Sequence, residues 1–212
     1  MSDFTGLLNT SRLDDDDDDD EGGDEEKKGA KGSEFMGKKL MDHRTILVAK
    51  PVDRDLMASI TAQLLLLDSE DSKKPITMYI NCPGGDADSG FAIYDCMRFI
   101  TAPVHTVCMG LAASAAIIIF LGGKKGKRFA TPHCRFLIHQ PSSRAQGQAS
   151  DLEITAREII KTRDKYNAII ESETGVPADK IVTDAHRDFW LSATEAKAYK
   201  LCDKIVTARK DV

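Results

Sequence analysis

From residue 44 onward the chain alternates short apolar runs with longer amphipathic segments. RTILVAK (44–50), PITMYIN (75–81) and VHTVCMG (104–110) are compact and rich in β-branched residues, and each predicts a strand. KRFATPHCRFLIHQP (127–141) predicts one or two more, and CDKIVT closes the chain as another. Between them lie helical patterns. DRDLMASITAQLLLLDSE (53–70) places Leu56, Met57, Ile60, Leu64 and Leu67 on one face. CPGGDADSGFAIYDCMRFITA (82–102) reads as a glycine turn feeding a helix, and AASAAIIIFLGG (112–123) as a short, wholly apolar helix stopped by two glycines. A long helix over 150–175 ends at Gly175, and PADKIVTDAH forms a short one. SATEAKAYKL (192–201) begins with Ser192 and Glu195 in capping-box spacing. Strands alternating with helices over short connections predict an α/β architecture with right-handed crossovers.

The 212-residue chain suits one domain with an appendage. The appendage is electrostatic: residues 1–34 include seven consecutive aspartates (14–20) and carry about −9. The whole chain carries −5, which leaves about +4 for residues 35–212. So dense a run of like charge, with little apolar surface, predicts a tail disordered from about residue 10 to 34. No basic patch interleaved with aromatics occurs, which argues against nucleic-acid binding. The longest apolar stretch, LAASAAIIIFL (111–121), is too short to span a bilayer, and no signal pattern opens the chain. The five cysteines (Cys82, Cys96, Cys108, Cys134, Cys202) are odd in number, form no CxxC and sit in or beside apolar runs. They read as free buried thiols of a cytoplasmic protein rather than disulfides or metal ligands.

Ser114 changes the picture. It is a single hydroxyl between two alanine pairs, expected in the first turn of the helix that follows strand 104–109. Ligand sites in parallel sheets lie beyond the carboxyl ends of strands. A hydroxyl there can attack a carbonyl whose oxyanion is met by backbone N–H groups. Taken alone, a serine near a helix start is a cap. Two other strand ends add weight. NCPGG (81–85) breaks into paired glycines that expose N–H groups without a Cβ in the way, and RFLIHQP (135–141) ends on His139. An imidazole acting as base needs a carboxylate to hold its tautomer. TDAHRDFWLSA offers Asp184 and Asp188, and the residues by themselves do not choose between them.

YINCPGG, GFAIYDCMRFI, CMGLAAS, GKKGKRFATPH, IHQP, GQASDLEI, AREII and RDFWLSATEA occur in this order from about residue 44 to the C-terminus, and together they resemble the ClpP family of serine peptidases. The resemblance implies a ClpP/crotonase-like repeated ββα spiral with a protruding handle helix. The domain would span 35–212, with the handle at about 142–175. Ser114 matches the nucleophile, His139 the general base and Asp188 the orienting acid. The backbone N–H groups of Gly85 and Ala115 match the oxyanion hole. Leu65, Tyr79 and Phe99 match positions of a cleft that receives an ATPase loop. No metal or organic cofactor is implied.

The same resemblance implies two stacked heptamers, homomeric or mixed with a paralogue, cutting unfolded polypeptides delivered by an AAA+ unfoldase such as ClpX or ClpA. Where the family has Ser-Met-Gly at the nucleophile, this chain has Ser114-Ala115-Ala116, and NSPGG becomes NCPGG. The acidic tail stands where the family has an apolar pore segment. That departure keeps a second expectation open: a non-catalytic or conditionally active subunit of a mixed ring. A crotonase-type acyl-CoA enzyme, which also uses paired N–H donors, is disfavoured by the presence of serine, histidine and aspartate together.

Overall fold

A computed structural model describes residues 35–142 and 145–212. The expected disordered tail lies outside the described residues. Of the unit Met1–Lys38 only residues 35–38 are described, and they are helical. The unit Lys39–Val212 carries the fold.

Its elements run β1 (Thr45–Val48), α1 (Arg54–Glu70), β2 (Ile76–Cys82), α2 (Ala87–Phe99), β3 (Val104–Ala113), α3 (Ala115–Leu121), β4 (Arg128–Ala130) and β5 (Arg135–Ile138). They continue with α4 (Ala149–Thr174), α5 (Ala178–Asp184), β6 (Phe189–Ser192), α6 (Ala193–Ala198) and β7 (Lys204–Ile205). One sheet has the order β1-β2-β3-β4-β7, parallel throughout, with β5 parallel to β3 and β6 antiparallel to β5. This is the α/β architecture, strands alternating with helices over short connections, expected from the sequence.

Local chemistry explains the helix ends. The Asp53 carboxylate accepts from the Leu56 N–H and starts α1, whose Ile60, Leu64 and Leu67 are buried as its periodicity predicts. Ser192 and Glu195 close the predicted capping box at α6. Gly175 caps α4 in the left-handed conformation. Met78 and Ile80 of β2 point into the main core under the helices. Tyr79 points the other way, onto a small cluster of Val107, Phe129 and Val206.

Two local expectations change. Strand β3 does not stop at Gly110 but runs to Ala113, because it changes neighbours. Its first half pairs with β4 through Thr106–Cys108, its second half with β5 through Leu111–Ala113. Ser114 therefore stands at the strand–helix junction rather than in the first helical turn. Phe189–Ser192, where the sequence pattern predicts only a helix beginning at Ser192, is a strand formed by tertiary pairing with β5. All five cysteines are free, four buried and Cys96 half-buried.

Candidate active site

Ser114 has φ 55° and ψ −124°, a conformation L-residues seldom adopt, and one that costs of order 1–3 kcal/mol. It is held from several sides. Its N–H donates to the Leu137 carbonyl at 2.9 Å, extending the β3–β5 ladder by one bond. Its carbonyl accepts from the Ile117 N–H at 2.9 Å and the Tyr166 hydroxyl at 3.2 Å. Its side chain makes no capping bond, so the cap reading fails and the hydroxyl is left for the cavity it lines.

The glycine turn packs directly against it. A Cβ on Gly84 would lie 2.5 Å from the Ala113 carbonyl oxygen and 2.7 Å from the Ser114 Cβ. One on Gly85 would lie 2.2 Å from the Val52 carbonyl oxygen. Both glycines also have positive φ, so the turn excludes side chains by contact and by conformation. Val52 clamps it, donating to the Gly84 carbonyl and accepting from the Asp86 N–H, each at 2.8 Å. The N–H groups of Gly85 and Ala115 donate to nothing among the described residues.

His139 follows β5 and is about one-third exposed, at 31%. Its Nδ1 lies 3.7 Å from Asp188 Oδ1, an ion-pair distance longer than a hydrogen bond. No hydrogen bond joins His139 to Ser114 among the described residues. Ser114, His139, Gly85 and Ala115 line one cavity of about 330 Å³, walled by Ile118 of α3 and by α4.

The tertiary structure separates the two aspartates. Asp184 is largely buried and already engaged: it accepts from the Tyr199 hydroxyl at 2.9 Å and from Lys180 at 2.8 Å. Asp188 faces His139. Although Phe189 and Trp190 follow it, its side chain is 65% exposed. Trp190 points outward and lies under the Arg135 guanidinium, 4.7 Å from the ring centroid.

Leu65, Tyr79 and Phe99 are not brought together within one chain. Tyr79 lines a groove of about 420 Å³ with Leu47, Val107, Met109 and Val206. Leu65 and Phe99 are exposed on α1 and at the end of α2.

Two residues with a structural claim on the site escaped the sequence reading. Cys82 sits beneath the glycine turn; its thiol donates to the Lys50 carbonyl at 3.0 Å, and its sulfur accepts from the Gly84 N–H at 3.4 Å. Burial pushes this thiol's pKa up. Tyr166, whose hydroxyl holds the Ser114 carbonyl, belongs to a face of α4 (Thr155, Glu158, Ile159, Thr162, Tyr166) that lines the cavity. That helical spacing is visible in the sequence, but nothing there says what the face meets.

A hydroxyl raised on a strained junction, with unengaged N–H donors on one side and an imidazole on the other, is equipped for attack on an acyl carbon. By its fold and its relatives the protein is a hydrolase of the peptidase class. The sequence model described as Clp protease matches residues 28–209, and the chain belongs to the Clp protease family. It is 45% identical over 181 residues to the ATP-dependent Clp protease proteolytic subunit 2 of Treponema pallidum (strain Nichols), covering 85% of this chain and 91% of that one. It is 47% identical over 175 residues to the subunit of the same name from Treponema denticola, covering 82% and 88%. Among solved structures it resembles a point mutant of ClpP1 from Listeria monocytogenes. There the TM-score is 0.76 and the identity 39%, over 82% of this chain and 98% of that one.

Proposed function

We propose that Ser114, His139 and Asp188 form the catalytic triad of this peptidase, and that Gly85 and Ala115 supply its oxyanion hole. His139 takes the Ser114 hydroxyl proton as Oγ adds to the peptide carbonyl, and the two N–H groups receive the developing oxyanion. His139 then gives that proton to the leaving amine. Water, deprotonated by the same imidazole, releases the acyl group from Ser114. Asp188 accepts from His139 Nδ1–H and holds the tautomer that presents a basic Nε2 to the serine. The observation that carries this reading is the backbone of Ser114: a strained, non-capping serine beside two unengaged N–H donors.

The substrates are unfolded polypeptides, and the working form is a ring assembly in the cytoplasm, fed by an ATP-dependent unfoldase. The relatives' names, ATP-dependent Clp protease proteolytic subunit 2, support the assembly and its ATP-dependent partner. So does an apolar groove around Tyr79 and Met109 suited to a partner's apolar side chain. Leu65 and Phe99 would complete that cleft only from a neighbouring subunit, since in one chain they lie away from Tyr79.

A conditionally active subunit is the second reading, and the 3.7 Å gap between His139 and Asp188 favours it. Such bonds tighten when substrate or a partner closes a site. Reaction with a fluorophosphonate, followed by intact mass, tests both. One adduct per chain, absent from Ser114→Ala, is the expected result. No adduct alone but one with a paralogous subunit present gives the conditional reading. No adduct in either state overturns the triad.

A further inference from the structure

The Ser114 carbonyl is held unlike its counterparts at the starts of α1 and α2. There the Asp53 and Asp86 carbonyls accept from the N–H four residues on, Met57 at 3.0 Å and Gly90 at 3.1 Å, the ordinary first bond of an α-helix. The Ser114 carbonyl accepts instead from the N–H three residues on, Ile117 at 2.9 Å, and takes its second bond from outside the helix. The Tyr166 hydroxyl of α4 donates it, at 3.2 Å. Tyr166 is 6% exposed, and burial pushes its pKa up, so the phenol keeps the proton it donates.

This carbonyl and the Ala115 N–H are the two ends of one peptide unit. The unit is planar and trans, so its C=O and N–H point in opposite directions and swing together. Ala115 itself is closely packed. A Cβ on Gly90 would lie 3.1 Å from the Ala115 Cβ, and one on Gly84 would lie 3.1 Å from the Ala115 nitrogen, so α2 and the glycine turn both close on it. The bonds to the Ser114 carbonyl oppose rotation of the plane between its two Cα atoms. They also polarise the amide, which strengthens its N–H as a donor.

We propose that Tyr166 is a positioning residue for the oxyanion: by bonding the Ser114 carbonyl, its hydroxyl sets the tilt of the Ser114–Ala115 peptide and so aims the Ala115 N–H. The inference rests on the reading of Ser114 as nucleophile and Ala115 as donor. Tyr166→Phe keeps the ring in its place and leaves the carbonyl its Ile117 bond, so no buried acceptor is orphaned. What it releases is the tilt of the plane.

The test uses the full-length chain, Tyr166→Phe and two inhibitors built on one peptide. The first is a trifluoromethyl ketone. Ser114 Oγ adds to its carbonyl carbon, the hydroxyl proton passes to His139, and the carbonyl oxygen becomes the anion. The second has a methylene where that carbonyl stood and presents no oxygen. In Tyr166→Phe, kcat for peptide hydrolysis falls by about tenfold with KM unchanged, less than the roughly 10²–10³-fold cost of deleting an oxyanion donor. Affinity for the ketone falls by the same factor, and the methylene peptide inhibits both chains equally. Tyr94→Phe is the control: it removes a hydroxyl bond to α4 at Glu173, away from Ser114, and leaves the ketone affinity unchanged. A ketone that binds wild type and Tyr166→Phe equally, or losses of equal size for both inhibitors, overturns the positioning role and leaves the nucleophile standing. So does a loss in Tyr94→Phe as large as in Tyr166→Phe, which would make the tyrosine a mere support of α4. Peptide cleavage that persists in Ser114→Ala overturns the nucleophile and the positioning role together.

Discussion

Ser114 is held by contacts that its own side chain does not make: a ladder bond to Leu137, a Tyr166 hydroxyl on its carbonyl, and Gly84 pressed against its Cβ. Chemistry at this scale is therefore sensitive to neighbours that never touch substrate. Cys82 is one of them. Replacing it by alanine removes the thiol under the glycine turn and is expected to lower kcat severalfold with little change in KM, while Cys82→Ser keeps a donor and acceptor and retains activity; steady-state peptide hydrolysis reads both. The two aspartates separate in the same assay. On the proposed triad, Asp188→Asn is expected to reduce kcat by about 10²–10⁴-fold, because the imidazole would lose the carboxylate that faces its Nδ1. Asp184→Asn should leave turnover intact and lower stability by about 1 kcal/mol, since Tyr199 and Lys180 lose a charged acceptor; chemical denaturation measures that loss. Equal effects of the two on kcat would sink the assignment of Asp188.

Helix α4 has two unlike halves. Its C-terminal part is anchored: the buried Arg128 guanidinium, at the start of β4, bonds the Glu173 carboxylate, which also accepts from the Tyr94 hydroxyl of α2 at 2.8 Å. Arg128 reaches the Gly123 and Glu173 carbonyls as well. Glu173→Gln would leave the buried guanidinium short of its counter-charge, and a loss of about 3–5 kcal/mol is expected in urea unfolding. The N-terminal part exposes Leu152, Ile154 and Ile160. If two rings meet through this exposed apolar stretch of α4, Ile154→Asp should halve the assembled mass in analytical ultracentrifugation without unfolding the chain. An unchanged mass would place the ring contact elsewhere.

For the whole molecule, the Glu173 network also sets a pH window. Burial alone would raise this carboxyl, but the bonds from Arg128 and Tyr94 overcome it and hold the pKa below its ordinary 4.5. A depressed folded-state value contributes stability that is complete above pH 4.5 and fades as pH falls through the folded value. On the alkaline side Tyr94, pushed up to about 12 by burial and by its bond to Glu173, withdraws stability as pH climbs from its ordinary 10. The contribution of this network to the denaturation midpoint should therefore be level between these limits and fall beyond each. The gap between wild type and Glu173→Gln should narrow in acid, and a gap independent of pH would refute the linkage.

Periodicity and end chemistry are local, and so they were legible. The α/β alternation, the buried stripe of α1, the Ser192–Glu195 box and the Gly175 stop depend on residues a few positions apart. The motifs also named Ser114, His139 and the glycine turn as strand-end candidates, because a parallel sheet collects such ends on one edge. What only the tertiary structure decided depends on partners distant in sequence. β3 runs past Gly110 because β5 is there to pair with it, and that extra length lifts Ser114 onto a strained junction. β6 exists because β5 offers it an edge. Asp184 is withdrawn from candidacy by Tyr199, fifteen residues away, and Asp188 is left facing the imidazole. Local sequence sets which conformations a segment favours; only the fold sets which groups remain unpaired beside one another, and chemistry is done by those.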